Sequence, residues 1–437
     1  MKTNNVFKEF LHYTSLNILG MLGLSCYIFA DTFFVSKGMG ANGLTALNLA
    51  IPIYSFIYGT GLLLGIGGAA KYSLLRSRNE NAKAKTVFTN TLLPTLIFSA
   101  IFVSAGLMLS DKIAYALGAD VSTIEMTKTY LKTILLFSPA FLLNNLILCF
   151  VRNDGNPRLS MIAMVSGSLS NVILDYVFIF PLNGGIFGAA VATGIAPIIS
   201  LIILSMHFIC KKNQFGIIKT KLSPALIINI LSLGLPSLIT ELSSGIVIMV
   251  FNKIILTLDG NIGVAAYGVI ANLSLVAISV FTGLAQGIQP LISRFYGRRD
   301  IGGIRSVMRY AIISASVIFG VIYTVVFLFA DKITEVFNSE KNVRLQETAV
   351  FGMKIYFTAL IFAGLNVIIS MYFAASEKPF PAQTISLLRG FLLIIPLALI
   401  FSNIWGIIGV WLSFPFTELI TSLTAVVFVK RIYKNNF

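Results

Sequence analysis

The chain has 437 residues, 57% of them hydrophobic and only 11% charged, with a net charge of +15. A soluble globular protein of this length carries about 25% charged residues, so composition excludes one and points to a surface that faces lipid. The apolar runs are continuous and long enough for helices across a ~30 Å hydrocarbon core, unlike the period-two strands of a membrane barrel.

Twelve spans are predicted, at 13–36, 43–70, 86–110, 128–151, 158–181, 186–210, 227–257, 262–290, 305–330, 349–374, 380–401 and 405–429. The first carries Asp31 near its end and is too long for a signal peptide, with no small-residue cleavage site. The second opens its later half with GTGLLLGIGG at 59–68, a mark of close helix contact. Pro139 and Asn144 lie in the fourth, Asn171 and Asp175 in the fifth, Thr193 and Pro197 in the sixth. A basic connection, KKNQFGIIKTKLSPAL at 211–226, interrupts the chain before the seventh span with its Pro236 and Glu241. Asn366 belongs to the tenth, Arg389 and Pro396 to the eleventh, Glu418 to the twelfth. Prolines inside such patterns are expected to kink or locally unwind the helix, with neighbours satisfying the freed carbonyls.

Basic residues gather in the tails and the even-numbered connections, among them Lys2, Arg76, Arg152, Lys211, Arg294 and Lys430. The opposite connections hold Asp111, Asp120, Glu125, Asp331, Glu335, Glu340 and Glu347. By the positive-inside rule both termini are cytoplasmic, and lipid headgroups rather than nucleic acid are the partner of the positive charge. Cys26, Cys149 and Cys210 have no metal-like spacing, and His12 and His207 stand alone, so no cofactor and no histidine or cysteine metal site is expected.

The second half repeats the first about 220 residues later. GLTAL at 43–47 returns as GVAAY at 263–267, GLLLGIG at 61–67 as GLAQGIQ at 283–289, and DKI at 111–113 as DKI at 331–333. Asn144 and Pro157 return as Asn366 and Pro379, and GIFG at 185–188 as GIIG at 406–409. The expected fold is therefore all-α and polytopic, with twelve transmembrane helices in two six-helix bundles. Residues 1–210 form an N-terminal lobe, 211–226 a cytoplasmic linker and 227–437 a C-terminal lobe. An even number of spans per half gives both lobes one orientation, related by a pseudo-twofold axis along the membrane normal with a cavity between them.

Only four acids fall within spans: Asp31, Asp175, Glu241 and Glu418. A carboxylate near the bilayer centre costs at least ~2.5–3.5 kcal/mol on insertion scales, so such groups face a cavity or a partner. At ~1.5 Å per residue, Asp31 and Asp175 belong in the outer half of the membrane. Asn171 shares a helix face with Asp175, and Thr193 lies at a matching depth in the returning span. Two carboxylates, an amide and a hydroxyl at one level make an oxygen-rich pocket that holds a cation or shares protons. Glu241 is expected to face the central cavity. Arg389 and Glu418, at similar depth, are expected to form a buried ion pair.

At these residues the chain resembles the multidrug and toxic compound extrusion (MATE) family. FADTFFVSKGMGANGLTALNLAIPI at 29–53 resembles its first-span signature, NVILDYVFIF at 171–180 its fifth-span motif and GIFGAAVAT at 185–193 the start of its sixth span. In the branch with an N-lobe cation site, the ligating positions match Asp31, Asn171, Asp175 and Thr193. The tenth span departs from a second branch, which carries a carboxylate there: 349–374 contains none, and Asn366 is its only Asn or Asp. The resemblance implies a bacterial plasma-membrane antiporter, not an enzyme. It would export cationic amphipathic compounds against an inward H⁺ or Na⁺ gradient, as a monomer without an obligate protein partner. The rival reading is a flippase for lipid-linked saccharides of the same superfamily. With Arg389 read as the only basic residue deep in a span, the balance of intramembrane charge favours cationic cargo.

Overall fold

Residues 3–338 and 341–435 are described by a computed structural model, and the loop charges Lys2 and Glu340 lie outside them. Helix α1 runs from Thr3 to Ser77 over 75 residues, which as a straight rod would be ~110 Å long. It reverses instead at Gly40 (φ 63°, ψ −153°), a conformation that strains any residue with a Cβ. The reversal brings the hydroxyls of Tyr27 and Tyr54 to 2.6 Å across the resulting hairpin.

Helix α2 (Asn81–Met108) and the short α3 (Ser110–Ala116) follow, then α4 (Ile124–Leu136) and α5 (Ser138–Asn153). The last two form one crossing bent by 46°. Pro139 sits in the first turn of α5, where a missing N–H costs nothing. Helices α6 (Pro157–Ile179) and α7 (Gly185–Ile209) complete the first half, and α7 continues through Pro197. Helix α8 (Pro224–Gly297) continues through Pro236 and then reverses at Gly260 (φ 63°, ψ −154°). Its two arms stack Phe251 on Tyr267, ring centroids 5.4 Å apart.

Helix α9 (Ile301–Phe337) is followed by α10 (Val343–Tyr356), which passes through a 3₁₀ turn into α11 (Leu360–Ala375). Helix α12 (Pro379–Leu387) passes through a π-helical turn at Leu388–Leu392 into α13 (Ile394–Trp405), which begins just before Pro396. Helix α14 (Ile407–Asn435) ends the chain. Nine described helices are long and apolar enough to cross a membrane, and the bent α4–α5 pair makes a tenth. With α1 and α8 each crossing twice, the chain is a multi-pass protein of twelve spans.

The sequence repeat is a backbone repeat. Gly40 and Gly260, 220 positions apart, share φ and ψ to within a degree. Gly185 and Gly406 both adopt positive φ (51° and 58°), and Pro157 and Pro379 both open helices.

The arms of α1 and α8 pack across the centre of the molecule through glycines. A Cβ on Gly234 would come within 1.8 Å of the Leu63 carbonyl oxygen, and one on Gly67 within 2.1 Å of that of Ile230. Gly283 approaches Ile18 and Gly287 approaches Thr14 as closely as backbones allow. The remaining glycines of 59–68 serve contacts too, Gly61 and Gly65 lying against Asn145 and Gly68 against Thr91. These approaches gather toward the face that carries both chain ends, the terminal face. The tips at Gly40 and Gly260 have nothing within 4 Å of where a Cβ would stand.

Candidate functional site

Asp31 lies nine residues before the Gly40 reversal and Asp175 four residues before the end of α6, so both sit toward the side opposite the termini. Asp175 and Asn171 are fully buried, and Asp31 and Thr193 nearly so. With its amide nitrogen turned to Asp175, Asn171 donates to Oδ2 at 3.1 Å and accepts from the Thr193 backbone N–H at 3.2 Å. The Thr193 hydroxyl donates to the Ala189 carbonyl at 3.1 Å. Asp31 and Asp175 are close enough to feel one another's charge, and Tyr130 stands within electrostatic reach of both. One oxygen of each carboxylate, Oδ1, is buried without a hydrogen-bond partner, and neither acid has a basic partner among the described residues. Two buried carboxylates so placed attract a proton or a small cation, because no basic group among the described residues neutralises them.

Thr193 joins the pocket to the centre of the molecule. A cavity of about 60 Å³ is lined by Thr193, Tyr27, Tyr54, Tyr58, Asn144 and Gln286 among others. Sequence reasoning missed the tyrosines. Their signal was placement at matching distances either side of Gly40, which makes facing neighbours of Tyr27 and Tyr54. A second cavity, of about 70 Å³, lies on the other side of Gln286 and is lined by Glu241, Thr240, Pro236 and Arg389. Glu241 also packs against Gly59 of α1, where a Cβ would meet its own at 3.0 Å. It has no ion-pair partner among the described residues.

Arg389 sits in the π-helical turn and donates to Glu418 Oε1 from Nη2 (2.8 Å) and Nε (3.0 Å). Asn366 completes the arrangement, its amide donating to Glu418 Oε2 at 2.6 Å and to the Glu418 carbonyl at 2.9 Å. Ser422 in turn donates to Asn366 Oδ1 at 3.0 Å. Glu418 is therefore neutralised and fully committed, whereas Asp31 and Asp175 are not.

Arg152 corrects the sequence reading, which placed it in a basic connection and left Arg389 as the only deep cation. Arg152 is fully buried at the end of α5. The apolar run CFV passes into it without a break, which is the signal that was available. Its neighbour Asp154 is equally buried and accepts from Tyr72 (2.6 Å), Arg76 (2.5 Å) and the Gln214 backbone N–H (2.8 Å), with His207 Nε2 at 2.9 Å. Asp154 thereby pins the segment after α7 to the first half of the molecule. Among the described residues, no group of three or more His, Cys, Asp or Glu is arranged to hold a metal ion.

Two repeated six-helix halves, packed around central cavities and holding unneutralised carboxylates inside the membrane, define a secondary transporter. The family profile described as MatE matches residues 17–177 and 236–425. The chain belongs to this multidrug and toxic compound extrusion family; it is a secondary antiporter that exports cationic amphipathic compounds by alternating access, not an enzyme. It is 26% identical over 428 residues to the multidrug export protein MepA of Staphylococcus saprophyticus, with 98% of this chain and 94% of the relative covered. To the multidrug export protein MepA of Staphylococcus aureus (strain MSSA476) it is 27% identical over 427 residues, covering 97% and 93%. The fold matches an outward-facing multidrug resistance MATE family transporter with a TM-score of 0.92 at 23% identity, covering 100% and 98% of the chains. It matches a MOP superfamily transporter from Pyrococcus furiosus with a TM-score of 0.90 at 22% identity, covering 97% and 95%.

Proposed function

We propose that Asp31, Asn171, Asp175 and Thr193 are the coupling site, and that inward H⁺ or Na⁺ entering it drives export. The observation that carries this is a buried pair of carboxylates without a basic partner among the described residues, in contrast to Glu418, which has one. Cation or proton entry removes negative charge from the N-terminal lobe and weakens its attraction for a cationic substrate, which leaves outward. Coupling then requires only that ion and substrate favour different states. A membrane potential adds ~2.3 kcal/mol per charge per 100 mV to the drive. Residues 1–210 and 227–437 act as the two rocking lobes, joined by the linker at 211–226, in a single chain. Glu241 faces the substrate path from the C-terminal lobe, supported by its place in the second cavity. The Arg389–Glu418 pair ties helices together and takes no part in coupling. The basic terminal face supports a bacterial plasma-membrane location with both termini cytoplasmic.

The test is ethidium efflux from proteoliposomes of the purified protein under separately imposed H⁺ and Na⁺ gradients. Efflux driven by one gradient names the coupling ion. Asp31→Asn and Asp175→Asn are expected to reduce that efflux to background while leaving a monodisperse, folded protein. Gradient-driven efflux retained by well-expressed Asp31→Asn would overturn the assignment.

A further inference from the structure

Arg152 is a buried charge whose chemistry the export cycle above leaves unused. Its guanidinium is fully buried, yet every group that it touches is neutral. Nη1 donates to Asn17 Oδ1 at 2.7 Å and to Gln286 Oε1 at 2.8 Å, and Nη2 lies 3.5 Å from Cys149 Sγ. Nε has no partner. Among the described residues no carboxylate pairs with it, and the adjacent Asp154 is already saturated by its own donors. A buried cation without a counter-ion is costly, and hydrogen bonds to two amides do not need one.

Its position suggests what the charge does. Asn17 belongs to the first arm of α1, whereas Gln286 comes from the second arm of α8, so the contact spans the two halves of the molecule. Gln286 lines both central cavities, the one that reaches Thr193 and the one that reaches Glu241. Arg152 thus stands under their shared floor, at the terminal-face end of α5. Next to it Asn153 donates to Gln289 at 2.8 Å, and Gln289 donates to Ser293 at 3.2 Å. A cation leaving the carboxylate site toward the terminal face would pass this layer.

We propose that Arg152 is an electrostatic gate, a buried guanidinium anchored across the lobe interface by Gln286 that bars cations from slipping through the closed terminal side. In surroundings poor in water its field is screened much less than in bulk solvent, and a fixed Arg excludes cations from pores on the same principle. The barrier is conditional. When the lobes part at the terminal face, Gln286 withdraws with its own lobe, water reaches the guanidinium, and the charge is screened. Cations are refused only while the door is shut, as antiport without leakage requires. The inference rests on the cation-coupled reading above, but its test does not depend on drug transport.

The test measures ²²Na⁺ uptake and proton leak in proteoliposomes without any drug, for wild type, Arg152→Gln, Arg152→Lys and Gln286→Glu. Gln286→Glu keeps the guanidinium and its contacts but sets a carboxylate against it, cancelling the field without opening a void. Arg152→Gln and Gln286→Glu are expected to raise the leak of at least one cation by about tenfold, the factor of a barrier lowered by ~1.4 kcal/mol. Arg152→Lys, which keeps the charge, is expected to stay tight. A tight Gln286→Glu overturns the proposal, whether or not Arg152→Gln folds. So does a leak in Arg152→Lys equal to that in Arg152→Gln, which would make the guanidinium a packing element only. Gradient-driven ethidium efflux by the wild type, run alongside, shows separately whether the coupling reading holds.

Discussion

At the scale of single residues, the four intramembrane acids divide by whether a partner neutralises them. Glu418 has two guanidinium contacts and an amide, whereas Asp175 has the Asn171 amide alone and neither it nor Asp31 has a guanidinium contact among the described residues. Depth along a helix is legible in a sequence, so Arg389 and Glu418 were visible as a level pair and Asn171, Asp175 and Thr193 as level neighbours. Asn366 was visible as a counterpart of Asn144 and as a polar amide in the tenth span, not as a partner of Glu418. Its contact with Glu418 depends on the rotation of α11 against α14, which no spacing encodes. Removing one member of a buried ion pair costs ~3–5 kcal/mol, because the other is left charged in an apolar site. Glu418→Ala should therefore lower the melting temperature in detergent sharply. The double variant Arg389→Met/Glu418→Met should recover most of the loss. A single substitution as mild as the double would show the pair to be solvated.

At the scale of elements, the decisive features are the two glycine reversals. A hydropathy pattern alone reads 13–36 and 43–70 as separate spans, and the backbone joins them through one helical hairpin that a single residue turns. Gly40 and Gly260 hold a conformation that would strain an alanine by ~1–3 kcal/mol. Gly40→Ala and Gly260→Ala are each expected to lower thermal stability by that order. Gly268→Ala, at an unstrained position with open space where its Cβ would stand, should leave stability unchanged or slightly raised. Equal melting temperatures for all three would remove backbone strain from the account. The π-helical turn at Leu388–Leu392 was not legible in advance, although Pro396 signalled that its span would be interrupted. It contains Arg389 and lets Gly390 lie against Ser243.

For the whole molecule, the repeat preserves the backbone and discards the chemistry. The position 220 residues after Asp31 is Phe251, which stacks on Tyr267 in place of facing a carboxylate. The two halves touch along α1 and α8, where Ser25 donates to Ser279 at 2.8 Å near mid-membrane. In a background lacking Cys26, Cys149 and Cys210, Ser25→Cys/Ser279→Cys should form a disulfide across this contact. Oxidation is expected to reduce efflux to background and reduction to restore it. Undiminished efflux from a fully cross-linked protein would show that the contact survives the transport cycle.

Composition, the length of the apolar runs and the repeat determined, without coordinates, that this chain crosses a membrane twelve times and where along each span its acids stand. Those properties are sums over neighbouring residues, so a one-dimensional string carries them. Which groups meet across helices was decided only by the packed molecule. The burial of Arg152 beneath Gln286, the commitment of Asn366 to Glu418 and the closure of the terminal face through facing glycines all depend on helix rotation and on the approach of one half to the other. Such pairings join residues far apart along the chain, 52 positions for Asn366 and Glu418 and 134 for Arg152 and Gln286, and no local pattern records them.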